Sequence, residues 1–173
     1  MRLVLNHETY DTVLKEIVPA ARKFLWIFTA DLKDLFVEST GGRFVPFLEV
    51  LAAKLRDGVE VRLVHAKEPG PRFREDFDRY AEFVESDLFE RLLCPRMHMK
   101  LVIADGRSAY VGSANLTGAG MGAKGDHRRN FEAGFITEDA THIKQLMAFT
   151  DQFFVGDFCT KCQRRDVCPE PIV

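Results

Sequence analysis

No apolar run in this sequence approaches the length of a membrane-spanning helix, and no secretory leader opens it, since Met1-Arg-Leu-Val-Leu-Asn6 passes at once into charged and polar residues. A cytoplasmic chain with no stable membrane association is the expectation. Excess positive charge is missing too. Lys and Arg number 24 against 26 Asp and Glu, a net charge of −2, so any site for a polyanion has to be a local patch. The sequence has no internal repeat and no low-complexity segment, so no motif appears in it twice. Cysteine is scarce, with four in 173 residues, yet three of the four fall between Cys159 and Cys168.

What is present fits one domain. With 46% hydrophobic and 29% charged residues, the chain can fill one core and is short for two. Tyr10, Val13, Leu14, Ile17, Val18 and Ala21 recur at helical spacing over 8–22, and Lys23 to Ala30 is an apolar run of strand length. After a polar stretch over 31–43, Phe44, Phe47, Leu48, Leu51 and Leu55 mark a second helix closed by Asp57-Gly58, and Val59 to Val64 reads as a strand. Pro69-Gly70-Pro71 breaks the chain before a third helix with Phe73, Phe77, Tyr80 and Val84, and Glu90 to Cys94 is a short strand. A strand from Phe131 to Thr137 and a last helix bearing Ile143, Leu146, Met147, Phe153 and Phe154 complete the core. This rhythm predicts an α/β fold, a single-domain mixed β-sheet flanked by helices on both faces. The domain is expected over 1–156, with a short Cys-rich tail over 157–173 packed on it.

The densest chemistry lies between His98 and Asn115. Met97, Met99, Leu101 and Ile103 alternate with His98, Lys100, Val102 and Ala104, which predicts a strand sending the imidazole and the ammonium to one face. Asp105-Gly106 is a hairpin turn, and the returning strand brings Gly112, Ser113 and Asn115 back beside His98. An imidazole can attack phosphorus or give up a proton, while Lys100, Ser113 and Asn115 can hold the non-bridging oxygens. Such a site performs phosphoryl transfer without a metal. Asp105 has the opposite parity to His98 and Lys100, so it serves either the turn or the pocket. His7, His65, His142 and Trp26 read as surface or packing residues.

The spacing His-x-Lys, four residues, Asp, six residues, Gly-Ser-x-Asn matches the signature of the phospholipase D superfamily at every fixed position. The chain resembles a small, single-signature member of nuclease type. That resemblance implies the phospholipase D-like fold and a phosphodiesterase activity. It also implies that Glu132, in Asn130-Phe131-Glu132, is the carboxylate that orients the histidine. The catalytic set is then His98, Lys100, Asp105, Ser113, Asn115 and Glu132. Displacement through a phosphohistidine needs a nucleophile on one side of phosphorus and an acid on the other, and one imidazole cannot be both. In the resembled family two signatures meet in one site, so a chain with one copy is expected to form a two-fold homodimer pairing His98 with its mate.

Cys159-Thr-Lys-Cys162-Gln-Arg-Arg-Asp-Val-Cys168-Pro169 has the spacing C-x2-C-x5-C. Without a secretory leader such spacing points to a metal rather than to disulfides. Zinc and iron-sulfur clusters both want four ligands, and Cys94 is the other cysteine. The spacing resembles the cluster segments of some iron-sulfur DNA repair glycosylases and nucleases. It implies a [4Fe-4S] cluster on Cys94, Cys159, Cys162 and Cys168, with zinc as the alternative, and no cofactor is expected for the phosphodiester chemistry itself.

Fold alone does not choose the substrate. Lys124, His127, Arg128 and Arg129, in the glycine-rich loop between Asn115 and Glu132, form a local basic patch suited to a nucleic-acid backbone. The expected activity is that of an endonuclease on single-stranded nucleic acid, because a deep dimer groove admits one strand more readily than a duplex. The alternatives are hydrolysis or transfer on phospholipid headgroups, and a metal-stabilised nucleic-acid-binding sensor with vestigial hydrolysis.

Overall fold

The computed structural model describes every residue except Asp34, Thr40 and Val173. The chain opens with β1 (Arg2–Leu5), α1 (Glu8–Tyr10), a wider-wound π-helical stretch (Asp11–Ile17), α2 (Val18–Ala20) and β2 (Phe24–Thr29). Three short strands follow, β3 (Leu32–Lys33), β4 (Phe36–Glu38) and β5 (Phe44–Pro46), then α3 (Phe47–Arg56) and β6 (Glu60–His65). Next come α4 (Pro71–Phe77), α5 (Glu82–Glu85), β7 (Phe89–Leu93), β8 (Leu101–Ala104), β9 (Ser108–Gly112) and β10 (Leu116–Thr117). The last elements are β11 (Ala133–Thr137) and α6 (Ala140–Phe154).

Seven of these strands make one sheet in the order β1-β11-β9-β8-β2-β6-β7. β2, β6 and β7 are parallel, joined by crossovers through α3 and through α4 and α5, while β8, β9, β11 and β1 run antiparallel to their neighbours. The sheet is therefore mixed, as the helix-strand rhythm predicts. β2 lies in the interior of the sheet because Phe-Leu-Trp-Ile-Phe has an apolar side chain for each face. Leu25 and Ile27 join the core under the N-terminal helices and α3, whereas Trp26 and Phe28 join the core under α6. Phe28 meets Phe153 and Phe154 of α6 at ring-centroid distances of 6.3 and 6.4 Å. Each such buried aromatic contributes roughly 1.5–3 kcal/mol by leaving water. The start of α6 is fixed by Asp139, whose carboxylate accepts from the N–H groups of Thr141 and His142.

One strand is unanticipated and three expectations are corrected. β1 forms an antiparallel edge strand on β11, which its four residues are too few to announce by periodicity. Phe44 is not on the stripe of the second helix but in the β4–β5 hairpin, because Pro46 stands at the N-cap of α3 with extended backbone and the helix starts after it. The third helix is broken into α4 and α5, and Phe83 rather than Val84 enters the core, stacking on Phe77 at 4.6 Å. The strand expected from Met97 begins only at Leu101, so His98 and Lys100 sit on the segment leading into β8.

Candidate active site

The hairpin of β8 and β9 is held against β2 at both ends by its own polar side chains. At the turn, Asp105 (φ 54) and Gly106 (φ 65) take the left-handed backbone of a tight hairpin. The Asp105 carboxylate accepts from the N–H groups of Arg22, Lys23 and Phe24 at 2.9, 2.8 and 3.0 Å. Burial pushes this carboxyl up, but the three N–H donors, Phe24 first, outweigh that and hold it below the usual carboxylate range. Beyond the other end of β9, Asn115 Oδ1 accepts from Thr29 Oγ1 and the N–H groups of Ala30 and Asp31 at 3.3, 3.1 and 3.3 Å. With its oxygen committed to the end of β2, the amide nitrogen of Asn115 is left as the donor.

The end of the sheet carrying Asn115 also carries the cation and the imidazole. Lys100 is 8% exposed, and its Nζ donates to the carbonyl of His98 at 2.7 Å and lies 3.2 and 3.4 Å from the two ring nitrogens of His98. Burial holds Lys100 below the ordinary lysine range, with the Glu132 carboxylate pulling the other way. His98 is itself exposed, so an incoming group can reach its ring. Gly112 pairs with Lys100 across the hairpin, its N–H donating to the Lys100 carbonyl at 3.1 Å. No larger residue fits at 112: a Cβ there would overlap the Tyr110 hydroxyl and lie 2.8 Å from the Ala133 carbonyl.

Ser113 and Glu132 form the opposite wall. Ser113 Oγ donates to Glu132 Oε2, and Asn130 Nδ2 donates to Glu132 Oε1 at 3.0 Å. The backbone of Glu132 is tied to Asn6 in both directions, at 2.8 and 3.0 Å. Within the chain the carboxylate oxygens thus go to Ser113 and Asn130. For Asp105 the expected place in the catalytic set is corrected. It lies five residues from Lys100 along β8, about 16 Å at the rise of a strand, and serves the turn and not the pocket.

The basic loop is only partly available. Arg129 is paired with Asp126, whereas Lys124, His127 and Arg128 have no side-chain partner among the described residues. One feature escaped sequence reasoning, and one residue read as surface or packing proves to be packing. A groove of about 640 Å³, lined by Leu32, Phe36, Phe47, Pro71 and Arg72 among others, opens one residue beyond the Asp31 N–H held by Asn115. His65, in register with Thr29 at the end of β6, is 1% exposed and accepts from Arg91 Nε at 2.9 Å. Burial first, and Arg91 next, push its pKa down to about 4, so it is a neutral packing residue that positions Arg91.

The four cysteines are all half-buried free thiols and line one cavity of about 180 Å³ between the end of β7, α6 and the tail. Burial pushes the Cys94 thiol up, and the neighbouring Cys168, Cys162 and Cys159 push the same way. Cys162 is pulled down by the backbone N–H of Arg164 and by the side chain of Arg96.

A family profile described as "Cardiolipin synthase, PLD-like domain" matches residues 14–153. The chain belongs to the phospholipase D-like family. In fold this phospholipase D-like chain is similar to NucT from Helicobacter pylori, at TM-score 0.63 and 13% identity over 88% of this chain and 95% of that one. It is similar to Nuc of Salmonella typhimurium, a phospholipase D family member, at TM-score 0.61 and 13% identity over 88% and 94%. A phosphatidylserine synthase from Haemophilus influenzae Rd KW20 is also similar, at TM-score 0.59 and 14% identity over 87% of this chain and 38% of that one. Comparison with curated protein sequences finds no match. Among the described residues no helix is long and apolar enough to cross a membrane.

Proposed function

We propose that this phospholipase D-like chain is a phosphodiesterase working through a phosphohistidine, at a site shared by two copies, and that it cuts single-stranded nucleic acid. The observation that carries this reading is the open His98 ring, with Lys100 Nζ 3.2 Å away and the donor end of Asn115 at the same end of the sheet. A ring nitrogen of His98 bonds to phosphorus as the bond to the leaving oxygen breaks, and that oxygen takes its proton from His98 of the partner subunit. Water, giving a proton to that second imidazole, then cleaves the P–N bond and frees His98. Lys100 and Asn115 offset the charge on the non-bridging oxygens throughout.

Support for a second copy comes from an uncovered face. α6 packs over β2, β6, β8 and the near part of β9, leaving the same face of β9, β11 and β1 open. Val111, Phe135 and Leu3 lie in register across it, at 41%, 50% and 51% exposure. The strip runs up to the residues just before Ser113 and just after Glu132, so a second copy seated there sets the two sites close together. Lys124 and Arg128, free of side-chain partners among the described residues, and Arg72 in the adjoining groove favour a polyanionic strand. The profile description and the likeness to a phosphatidylserine synthase favour phospholipid headgroup transfer as a second reading.

Labelled single-stranded DNA, single-stranded RNA and phosphatidylcholine vesicles, each with chelator, separate the two. Cleavage of a single strand that persists in chelator is expected. Headgroup release with intact nucleic acid would move the function to the second reading, and a monomer with full activity in sedimentation would remove the shared site.

A further inference from the structure

We propose that Cys94, Cys159, Cys162 and Cys168 hold a [4Fe-4S] cluster that fastens the tail to the segment delivering His98. This rests on the cysteine geometry alone and is independent of the phosphodiesterase reading. All four residues line a single cavity whose other walls include Leu93, Phe149, Phe153 and Ile172. The tail presents its thiols on successive tight turns, with the N–H of Cys159 on the Gly156 carbonyl, that of Cys162 on the Cys159 carbonyl and that of Cys168 on the Arg165 carbonyl. Nothing in ordinary core packing asks for four thiols around one hollow, since a sulfhydryl is a small hydrophobe with a weak donor.

The size of the hollow bears on the occupant. Zinc draws its thiolates to about 2.3 Å from the ion and so to roughly 4 Å from each other. The hollow these four thiols line, at about 180 Å³, has room for a group wider than one ion. A cubane cluster held by four thiolates is such a group. Its net negative charge in a partly apolar pocket is met by Arg96, which lines the same cavity.

The placement gives the cluster a task. β7 is the edge of the sheet, and the tail closes it where Glu170 Oε2 accepts from the Leu93 N–H at 2.6 Å. Cys94 follows, its N–H on the His65 carbonyl at 2.9 Å and its carbonyl accepting from Met97 at 2.8 Å. His98 is the next residue. A cluster bonded to Cys94 therefore fixes the short turn from which the imidazole projects.

The test is composition and spectrum of the full chain purified and reconstituted without oxygen, using ferrous iron and sulfide as the probe. About four irons and four acid-labile sulfides per chain are expected, with a broad visible absorbance that bleaches on reduction. Cys162→Ser should lower bound iron several-fold, while Gln163→Ala, beside it but bearing no thiol, should keep it. Stoichiometric zinc without iron in the parent chain would overturn the cluster, and neither metal bound after reconstitution would overturn the site. Because the parent chain alone decides these outcomes, a Cys162→Ser chain that failed to fold would not shield the proposal.

Discussion

Asp105 offers the sharpest separation of structure from chemistry, because it belongs to the signature yet sits at the far end of the strand from His98. Its carboxylate takes three backbone N–H groups, those of Arg22, Lys23 and Phe24. A hydrogen bond to a charged group contributes about 1.5–3 kcal/mol net. The three are not additive, since one carboxylate is desolvated once and water can replace it at the exposed Arg22 and Lys23. Asp105→Ala should then cost about 2–3 kcal/mol, close to one or two such bonds. For a domain of this size that lowers Tm by roughly 5–10 °C. Asp105→Asn keeps one acceptor oxygen and tolerates the left-handed backbone, so roughly half that loss is expected.

The pH dependence carries the same signature. The folded-state pKa of Asp105 is depressed, so its stabilisation is complete above the unfolded carboxylate value and is lost as pH falls through the folded one. The Tm gap between the parent and Asp105→Asn should be full at neutral pH and close in acid. Calorimetry across pH measures the gap, and turnover of a chromogenic phosphodiester well below Tm measures the chemistry. Turnover should fall less than about tenfold, far short of the ~10²–10⁴ that a general acid is worth. An Asp105→Asn chain with unchanged Tm and turnover down a hundredfold would place this carboxylate in the pocket and refute the strand geometry.

His98→Ala should remove nucleophile and acid together, so phosphodiester turnover falls by at least ~10²–10⁴-fold with Tm nearly unchanged; parental turnover in that variant would end the mechanism. Gly112→Ala drives a methyl into the buried Tyr110 hydroxyl and the Ala133 carbonyl, and a loss of about 1–3 kcal/mol by chemical denaturation is expected. Phe135→Lys, on the open strip, should shift sedimentation from dimer to monomer and abolish turnover while the far-UV spectrum stays the same. A Phe135→Lys chain still dimeric would move the contact to another face.

The sequence discloses most where function depends on near neighbours. His98, Lys100, Ser113 and Asn115 fall in eighteen consecutive residues, and the strand-turn-strand that gathers them is written in alternation and an Asp-Gly turn. The partners of those residues are distant along the chain. Thr29, Ala30 and Asp31 grip Asn115 across more than eighty residues, and no periodicity in either segment refers to the other. Glu132 is legible as a residue, while its ties to Ser113 and Asn130 are not. Phe44 misled for a local reason, since helical spacing does not register that Pro46 forbids helix before it. His65 looked like packing and is so, but its tie to Arg91 Nε requires β6 and β7 to be known neighbours.

Asp105 and Asn115 together explain why the signature has a fixed length. β2 spans Phe24–Thr29, and its two ends are held by the two ends of the returning hairpin: Asp105 on the N–H groups entering β2, Asn115 on those leaving it. One residue inserted between them would turn every following side chain of β9 to the opposite face and carry Asn115 off the Ala30 and Asp31 N–H groups. Those half-buried donors would then lose their acceptor, at up to about 1–3 kcal/mol each, and the amide proposed to grip the phosphate would be misplaced by the same slip. The spacing of a catalytic motif is thus also a measure of the strand it grips, and stability and chemistry constrain it through the same hydrogen bonds.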